Sequence, residues 1–277
     1  MKKIFQWIAI VLGGVFLLVA VAGLVLYSVG MKKLNQTYPN LAVETVNIPT
    51  DADAVARGKH IATIWACTSC HGQNLRGTMI TKDPLSGIVP LLGTIPAPNL
   101  TSGNGGVATS YTDTDWIRAI RHGVMPEGNS EVLMFDYSTM SDQDLGDLIA
   151  YLKQIPPVDT NYPEMSGGPI LPIVNAVGLL MPAAQHIDHN VPHPATVAPD
   201  ATVEYGRYLS AICTGCHFNG IGNVEKGWKQ DEFIHTFQTG LLPDGKQFGP
   251  TMSSNTFSEM TDTELTALWL YFTNPKP

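Results

Sequence analysis

The longest apolar stretch of this 277-residue chain lies at its start. Residues 4–29 are apolar except for Gln6 and Ser28, and a helix needs roughly 20 such residues to cross a bilayer. A cleaved secretory signal has a shorter apolar region of about 7–15 residues before a small-residue site, which Ala20-Val21-Ala22 could provide. Because the apolar run continues past that site, we predict a retained membrane anchor over residues 1–33.

After the anchor and a polar segment, the apolar positions follow the period of amphipathic helices, and the pattern occurs twice. Residues 145–152 and 265–272 both carry apolar side chains at i, i+3, i+4 and i+7, the spacing of one helical face. Each segment follows a hydroxyl residue placed three positions before an acid, as in a capping box, at 141–144 and 261–264. A duplication explains this match better than chance.

Two further matches support the duplication. A short amphipathic segment that ends in glycine occurs at 115–123 and again at 232–240, and a proline-containing turn follows each one. A glycine also precedes each cysteine pair, as Gly58 and Gly206, and would let another helix pass close to the backbone. We therefore predict an all-α protein that contains two versions of one unit.

All four cysteines belong to two C-x-x-C-H motifs, Cys67-Thr68-Ser69-Cys70-His71 and Cys213-Thr214-Gly215-Cys216-His217. This motif is the attachment site of a c-type haem. Two thiols about one helical turn apart can each form a thioether with one vinyl group of the haem, and the adjoining histidine supplies the proximal nitrogen to the iron. The sequence thus predicts two covalently bound haems c. Their attachment residues are Cys67, Cys70, Cys213 and Cys216, and their proximal ligands are His71 and His217.

Two other uses of paired cysteines fit the sequence less well. A structural zinc site would join both pairs, but such pairs are usually about 15–20 residues apart, and Cys70 and Cys213 are much farther apart. A thioredoxin-like redox pair expects a βαβ context, and no strand pattern surrounds either motif. Neither use accounts for a histidine directly after both pairs.

The second axial position of each iron decides between electron transfer and catalysis. A methionine thioether gives a six-coordinate carrier of high potential, a second histidine lowers the potential, and an open position permits catalysis. Met252 lies between the turn and the last helix of the second unit, and Met134 occupies the corresponding point in the first. We predict these two as ligands. Met125 and Met140 are the alternatives in the first unit, although Met140 and its counterpart Met260 are also typical core positions.

The charge of the chain limits its partners. The formal net charge is −8, the pI is about 5.4, and 14% of the residues are charged. No basic patch is available to neutralise phosphates, so nucleic acid is not expected as a partner. An acidic face could steer a basic redox partner, although solvation of a secreted surface explains the same charge equally well.

These features predict four regions. The anchor spans residues 1–33, the first haem domain 34–160, an interdomain strap 161–199 and the second haem domain 200–277. Within the first domain, the polar residues up to about 53 are interpreted as a tether.

Two long stretches lie between the predicted helices. The Gly/Pro-rich segment from 71 to 112 is expected to cover the cofactor or contact a partner. The strap carries an apolar piece, 170–181, which is too short and too proline-broken for a second membrane span. A metal site is conceivable, but not favoured, at the three strap histidines. These are His186, His189 and His193.

With these motifs, the chain resembles the membrane-anchored dihaem or multihaem c-type cytochromes that accompany periplasmic dehydrogenases. Examples are the cytochrome subunits of alcohol, gluconate and sorbitol dehydrogenases. The resemblance implies two tandem class I cytochrome c-like domains. It also implies that the haem domains lie on the periplasmic or extracytoplasmic side, since haem is attached there in this family. The likeness covers most of the chain from about residue 54 and includes segments 97–101, 120–124, 141–145, 149–152 and 185–189.

The sequence departs from that family in two respects. Those subunits typically carry three haems and a carboxy-terminal anchor, whereas this chain has two motifs and an amino-terminal apolar run. The proline that usually follows the ligand methionine is absent, with Phe135 and Ser253 in its place. The resemblance therefore supports the electron-transfer class but not a particular dehydrogenase.

We accordingly expect an electron carrier rather than an enzyme. It would pass electrons from a dehydrogenase or a quinol-oxidising complex to a terminal oxidase or a soluble carrier. The alternatives are a dihaem redox enzyme of the peroxidase or thiosulfate dehydrogenase type, and an electron-transfer subunit of a larger respiratory complex. Methionine candidates in both units argue against the open iron site of a peroxidase.

Overall fold

The structure is a computed structural model that describes residues 2–80, 89–180, 182–214, 217, 227–249, 252 and 254–274. Helices dominate this part of the chain, as the apolar pattern predicted. The helices are α1 (Lys2–Leu34), α2 (Ala52–Ile64), α3 (Cys67–His71), α4 (Val89–Leu92), α5 (Asp113–His122), α6 (Asp142–Gln154), α7 (Leu171–Ala176), α8 (Ala183–His186), α9 (Val203–Leu209), α10 (Ala211–Thr214), α11 (Gln230–Thr239), α12 (Ser254–Phe257) and α13 (Asp262–Thr273).

Four two-residue strands form two small antiparallel ladders within the described ranges. Strand β1 (Thr78–Met79) pairs with β3 (Pro96–Ala97). Strand β2 (Gly93–Thr94) pairs with β4 (Ser166–Gly167). The first ladder folds the long segment after His71 back on itself, and the second fixes the strap to that segment.

Helix α1 stands apart from the remaining helices over most of its length. It has 33 residues, so it is about 50 Å long, and its large apolar side chains are exposed. By length and composition it can cross a membrane, although a signal sequence would pass the same test. Its carboxyl end contacts the strap at Gly30, where a Cβ atom would lie 1.7 Å from the carbonyl oxygen of Pro172.

The two predicted glycine crossings are present in the structure. A Cβ atom on Gly58 of α2 would lie 1.9 Å from the carbonyl oxygen of Asp147 in α6. The same distance, 1.9 Å, separates a Cβ on Gly206 of α9 from the carbonyl oxygen of Ala267 in α13. In both halves, the helix before the cysteine motif therefore crosses a later helix at backbone contact, which only glycine permits.

The turns after α5 and α11 also share one hydrogen-bond pattern. Each helix ends at a glycine in the left-handed region, Gly123 with φ 61° and Gly240 with φ 74°. A tight turn follows, and the chain then returns to bond the same glycine. Within the turns, Gly128 N donates to Met125 O at 2.9 Å and Gly245 N donates to Leu242 O at 2.8 Å. The returning chain then donates to the glycine, from Glu131 N to Gly123 O at 2.8 Å and from Phe248 N to Gly240 O at 2.8 Å.

The polar segment after the anchor is not a free tether. Val46 is buried, and the backbone of Tyr38 donates a hydrogen bond to Gly128 O at 2.8 Å. Glu44 receives hydrogen bonds from the buried guanidinium of Arg121 and from His122. Burial acts to raise the pKa of Glu44, but these bonds outweigh it and lower the pKa to about 2. The segment is therefore an ordered part of the first unit.

The strap likewise packs mainly on the first unit. Ala183 N donates to Glu131 O at 2.7 Å, and Asp142 N at the start of α6 donates to Pro194 O at 3.0 Å. His189 lies 3.2 Å from His122 between their Nδ1 atoms, whereas His186 is exposed. Among the residues that the structure describes, no group of three or more histidine, cysteine or acidic side chains could hold a metal ion.

Replacing Gly58 by alanine should destabilise the first unit. The added Cβ has to displace the backbone of α6, and overpacking of this kind costs about 1–3 kcal/mol. The better helix propensity of alanine offsets only about 1 kcal/mol of that cost. A lower thermal unfolding temperature is the expected result.

The matched control is Gly249→Ala, since nothing lies within 4 Å of a Cβ at Gly249. This variant should unfold at the wild-type temperature. If Gly58→Ala unfolded no earlier than Gly249→Ala, the close crossing of α2 and α6 would be wrong.

Candidate haem site

The first cysteine motif forms its own short helix. Helix α2 ends at Ile64 with Trp65 as its C-cap, and Ala66 adopts a left-handed conformation with φ 62° that redirects the chain into α3. Such a conformation is costly for a residue with a Cβ and persists where the surroundings enforce it. Within α3 the two thiols of Cys67 and Cys70 are nearly one turn apart, and His71 follows directly. All three side chains line the same cavity.

The imidazole of His71 is fixed by a hydrogen bond. Its Nδ1 atom lies 2.8 Å from the carbonyl oxygen of Pro98. A carbonyl oxygen can only accept, so the proton resides on Nδ1 and the lone pair is on Nε2. Burial lowers the pKa of His71 and so favours the neutral ring; the hydrogen bond to Pro98 acts in the opposite direction but is outweighed. A neutral imidazole with an available Nε2 is the form that binds iron.

The loop that holds His71 is itself anchored. The buried side chain of Asn99 donates from Nδ2 to Val158 O at 2.7 Å and accepts from Thr101 N at 2.9 Å. Leu100 N donates to Leu75 O at 2.8 Å, which ties the loop to the chain just after the motif. This part of the Gly/Pro-rich segment therefore forms a wall of the cavity, as one of the two expectations for it required.

The free volume of the cavity is about 110 Å³. Apart from the motif, the walls are mostly apolar and aromatic, and they come from the loop, α5, α6 and the segment before α6. Representative wall residues are Ile95, Leu100, Trp116, Ile120, Leu133, Phe135, Tyr137, Leu148 and Leu152.

The cavity brings Met134 together with the cysteine motif. Met134 is partly buried and lines the same space as Cys67, Cys70 and His71. The rival Met140 is fully buried in the core, and Met125 lines a different cavity beside the end of α1. Met134 therefore remains the predicted axial ligand for this site.

Two further wall residues were not predicted from the sequence. Met165, from the strap, contributes a second thioether side chain to the wall. Glu131 contributes a carboxyl group whose pKa is raised to about 7, mainly by burial and also by the charge of Glu127. Neither residue belongs to a motif or to the apolar face of a helix. Their position at the cavity follows from long-range packing, in which the strap bonds to the first unit at Glu131 O.

The second motif is described in part. The backbone N–H of His217 donates to Cys213 O at 2.8 Å. Met252 is partly buried, and its backbone N–H bonds Gly249 O at 3.0 Å. Cys216 lies outside the described residues. The role of His217 and Met252 as ligands stays a prediction.

The first motif contacts the second half of the chain directly. Ser69, between the two cysteines, lies 2.8 Å from Thr256 between their hydroxyl oxygens. The ring centroids of Trp65 and Tyr208 are 5.3 Å apart in an edge-on arrangement. Thr256 lies four residues after the predicted ligand Met252 in the sequence. The contact therefore joins the thiol-bearing segment of one unit to the methionine-bearing segment of the other.

The residues around the first cavity fit a c-type haem. Two thiols are available for thioether bonds, the imidazole offers Nε2, and a thioether sulfur lies on the same cavity wall. The apolar lining would keep water from a porphyrin. This chemistry matches no other common cofactor as closely, because the cysteines and the histidine are set in the spacing of covalent haem attachment.

Comparison with known proteins gives the same assignment. Residues 55–156 match the family model for cytochrome c. The chain is 30% identical over 129 residues to the fructose dehydrogenase cytochrome subunit of Gluconobacter japonicus, which is 42% of this chain and 25% of that protein. A cytochrome c domain implies a covalently bound haem c.

Two other relatives are similar. Over 103 residues the chain is 30% identical to the gluconate 2-dehydrogenase cytochrome c subunit of Pantoea cypripedii, covering 35% of this chain and 22% of that protein. It is 30% identical over 110 residues to the cytochrome c subunit of alcohol dehydrogenase (quinone) from Gluconacetobacter polyoxogenes, covering 36% of this chain and 22% of that protein. The chain thus spans about a quarter of the length of these relatives. They confirm the predicted resemblance to dehydrogenase cytochrome subunits.

Glu131 should make the reduction potential of a haem in this cavity depend on pH. As the pH rises through about 7, Glu131 loses its proton, and the negative charge favours the oxidised iron. The potential should therefore fall as the pH rises. The pKa of Glu131 is lower beside the oxidised iron than beside the reduced iron, and each unit of that difference lowers the potential by about 59 mV. Spectroelectrochemical titration of the full chain across neutral pH measures this slope.

In Glu131→Gln the slope should vanish, whereas Glu127→Gln should keep it but move it to lower pH, because the charge of Glu127 contributes to the raised pKa of Glu131. A slope that survives in Glu131→Gln would assign the titration to another group.

Proposed function

We propose, from the premise of a cytochrome c domain at residues 55–156, that the chain is a membrane-anchored dihaem cytochrome c. It transfers electrons and carries out no chemistry on a small substrate. The observation that carries the proposal is one apolar cavity lined by Cys67, Cys70, His71 and Met134. The imidazole of His71 is oriented there by its hydrogen bond to the Pro98 carbonyl. Such a cavity suits a six-coordinate haem that gains and loses one electron.

Each residue of the first site has a separate task. Cys67 and Cys70 attach the haem, so that it stays bound in both oxidation states. His71 is the proximal ligand, and the Pro98 carbonyl orients its ring and increases its basicity. Met134 is the sixth ligand and closes the iron to external ligands. The aromatic and aliphatic walls would exclude water and so reduce the solvent reorganisation that accompanies a change in the charge of the iron.

The second haem is proposed at Cys213, Cys216, His217 and Met252, in a second class I cytochrome c-like domain over residues 200–277. Three features support this proposal. The motif recurs in full in the sequence, the glycine crossing recurs at Gly206, and the turn after α11 repeats the hydrogen bonds of the turn after α5. The first domain then spans residues 34–160, with the strap over 161–199.

Electrons are proposed to pass between the two haems within the chain. The contact of Ser69 with Thr256 and the edge-on ring contact of Trp65 with Tyr208 support this, since they place the two units against each other at the first motif. His60 Nε2 also lies 2.8 Å from Glu264 Oε1, and Tyr208 donates to Asp144 at 2.5 Å. These bonds cross between the units and would hold their separation constant.

The outer partners are proposed from chemistry and from the relatives. The relatives are cytochrome subunits of dehydrogenases, so a dehydrogenase is the proposed donor, with a quinol-oxidising complex as the other source. A terminal oxidase or a soluble carrier would accept the electrons. Helix α1 would anchor the chain in the cytoplasmic membrane with both haem domains on the periplasmic or extracytoplasmic side.

Carbon monoxide binding to the reduced chain tests the proposal. A six-coordinate carrier should not bind it quickly, and Met134→Ala should open the first iron to it. Met125→Ala is the matched control, because Met125 lines another cavity, and it should behave like the wild type. Rapid binding by the wild type would contradict a simple carrier and favour a redox enzyme.

The pair of His60 and Glu264 should make the contact between the units sensitive to pH. The hydrogen bond with Glu264 raises the pKa of His60, against the opposing effect of burial. Because the folded pKa lies above the usual value of about 6.5, the stabilisation is complete at lower pH and is lost as the pH rises through the folded pKa. His60→Gln should therefore lower the unfolding temperature in mildly acidic buffer more than in alkaline buffer.

The expected effect is below about 1 kcal/mol, since the His60 side chain retains a third of its exposure and water screens the pair. His235→Gln, on the exposed side of α11, serves as the matched control for the loss of a helical imidazole. An equal loss at both pH values in His60→Gln would exclude a charged pair.

A further inference from the structure

The apolar piece of the strap ends in an exposed tip. Leu171 and Pro172 of α7 are buried, but Val177 and Leu179 just beyond the helix are 52% and 81% exposed. Leu179 is the most exposed large apolar side chain among the residues described. We call residues 177–180 the strap tip. Apolar side chains that are exposed next to each other are candidates for an interaction surface.

The strap tip is an ordered turn whose backbone is internally bonded. Gly178 adopts φ 76° and its N–H donates to Asn175 O at 3.0 Å, while Leu179 N donates to Val174 O at 3.1 Å. The buried Asn175 side chain donates from Nδ2 to Leu180 O at 3.0 Å. A turn with its peptide groups satisfied in this way can enter an apolar medium at lower cost than an open loop.

The location of the tip indicates what it contacts. Helix α7 packs on α1 at Gly30, immediately after the apolar run of α1 ends. Lys33 Nζ donates to Ala176 O at 3.5 Å, and Gln185 Nε2 donates to Lys33 O at 2.6 Å. These bonds fix the strap beside the point where α1 would leave the hydrocarbon and where Lys32 and Lys33 would meet the head groups.

We propose that the strap tip inserts Val177 and Leu179 into the outer interface of the bilayer that α1 crosses. The inference rests on the proposed membrane anchoring. The proposed occupant of the tip surface is the lipid interface, because α7, which leads directly into the tip, packs on the carboxyl end of the apolar helix α1 and the tip is too short to span a bilayer. The contact is therefore monotopic, a second attachment point beside the anchor.

A second attachment point would orient the first haem cavity. The same strap contributes Met165 to the cavity wall and pairs with the loop after the motif through β4. One helix alone allows the domain to swivel about its exit point, whereas two contacts restrict that rotation. The strap tip thus sets which edge of the first haem cavity faces the membrane and which faces solution.

The test is thiol labelling of the full haem-loaded chain in lipid nanodiscs that hold one copy each. The four native cysteines are occupied by haem in the proposed holoprotein, so an introduced cysteine is the single reactive thiol. Three variants are compared with a charged, membrane-impermeant maleimide, namely Leu179→Cys, Leu241→Cys and Val15→Cys. Leu241 is the matched control, an exposed leucine in the turn after α11, and Val15 reports on α1.

The proposal predicts that Leu179→Cys reacts about tenfold or more slowly than Leu241→Cys, because the thiolate is the reactive form and apolar surroundings raise the pKa of a thiol. Val15→Cys should be protected as well, and all three should react fully after denaturation. If Leu179→Cys reacts as fast as Leu241→Cys while Val15→Cys is protected, the strap tip is in water and the inference is wrong, although the anchor stands. If Val15→Cys also reacts fast, the membrane anchoring fails and the inference fails with it.

Discussion

The hydrogen bond from His71 Nδ1 to the Pro98 carbonyl is the interaction on which the first site depends. It selects one tautomer and leaves Nε2 available on the cavity side. The carbonyl can perform this task only because Asn99 and Leu100 tie its loop to Val158 and Leu75. Proline at this point also has no N–H of its own to satisfy in an apolar wall. The imidazole is thus oriented by a backbone carbonyl, which rotamer changes cannot disturb.

The glycine crossings explain how the motif reaches its place. Because Gly58 lets α2 touch the backbone of α6, the end of α2 is fixed, and Ala66 then turns the chain into α3 against the cavity. The hydroxyl of Tyr137, which also lines the cavity, donates to Trp65 O at 3.0 Å and fixes this corner by a second contact. Backbone contact leaves little freedom for the thiols to move relative to Met134 on the segment before α6. A covalently attached cofactor with a distant sixth ligand requires such a fixed frame.

Local signals in the sequence predicted much of this arrangement. The C-x-x-C-H spacing, the capping residues Ser141 and Thr261, and the glycine stops at Gly123 and Gly240 each act over a few residues, so they can be read without the fold. The contacts made over long sequence distances could not be found in this way.

Glu44 illustrates those long-range contacts. It lies in a polar stretch with no periodicity, and only the fold places it against Arg121 and His122. Met165 and Glu131 reach the cavity because the strap packs on the first unit, which no motif encodes. Short-range sequence patterns therefore predict the ligands, whereas long-range packing determines which residues surround them.

The central claim is that the chain holds two haems in two versions of one helical frame, and the intact mass of the mature full chain under denaturing conditions tests it most directly. Thioether bonds survive unfolding, so haem that is only coordinated would be lost while covalently bound haem would remain. The account predicts the mass of the polypeptide plus two haem groups, with one on each peptide that contains a C-x-x-C-H motif. A mass with one haem or none would contradict it.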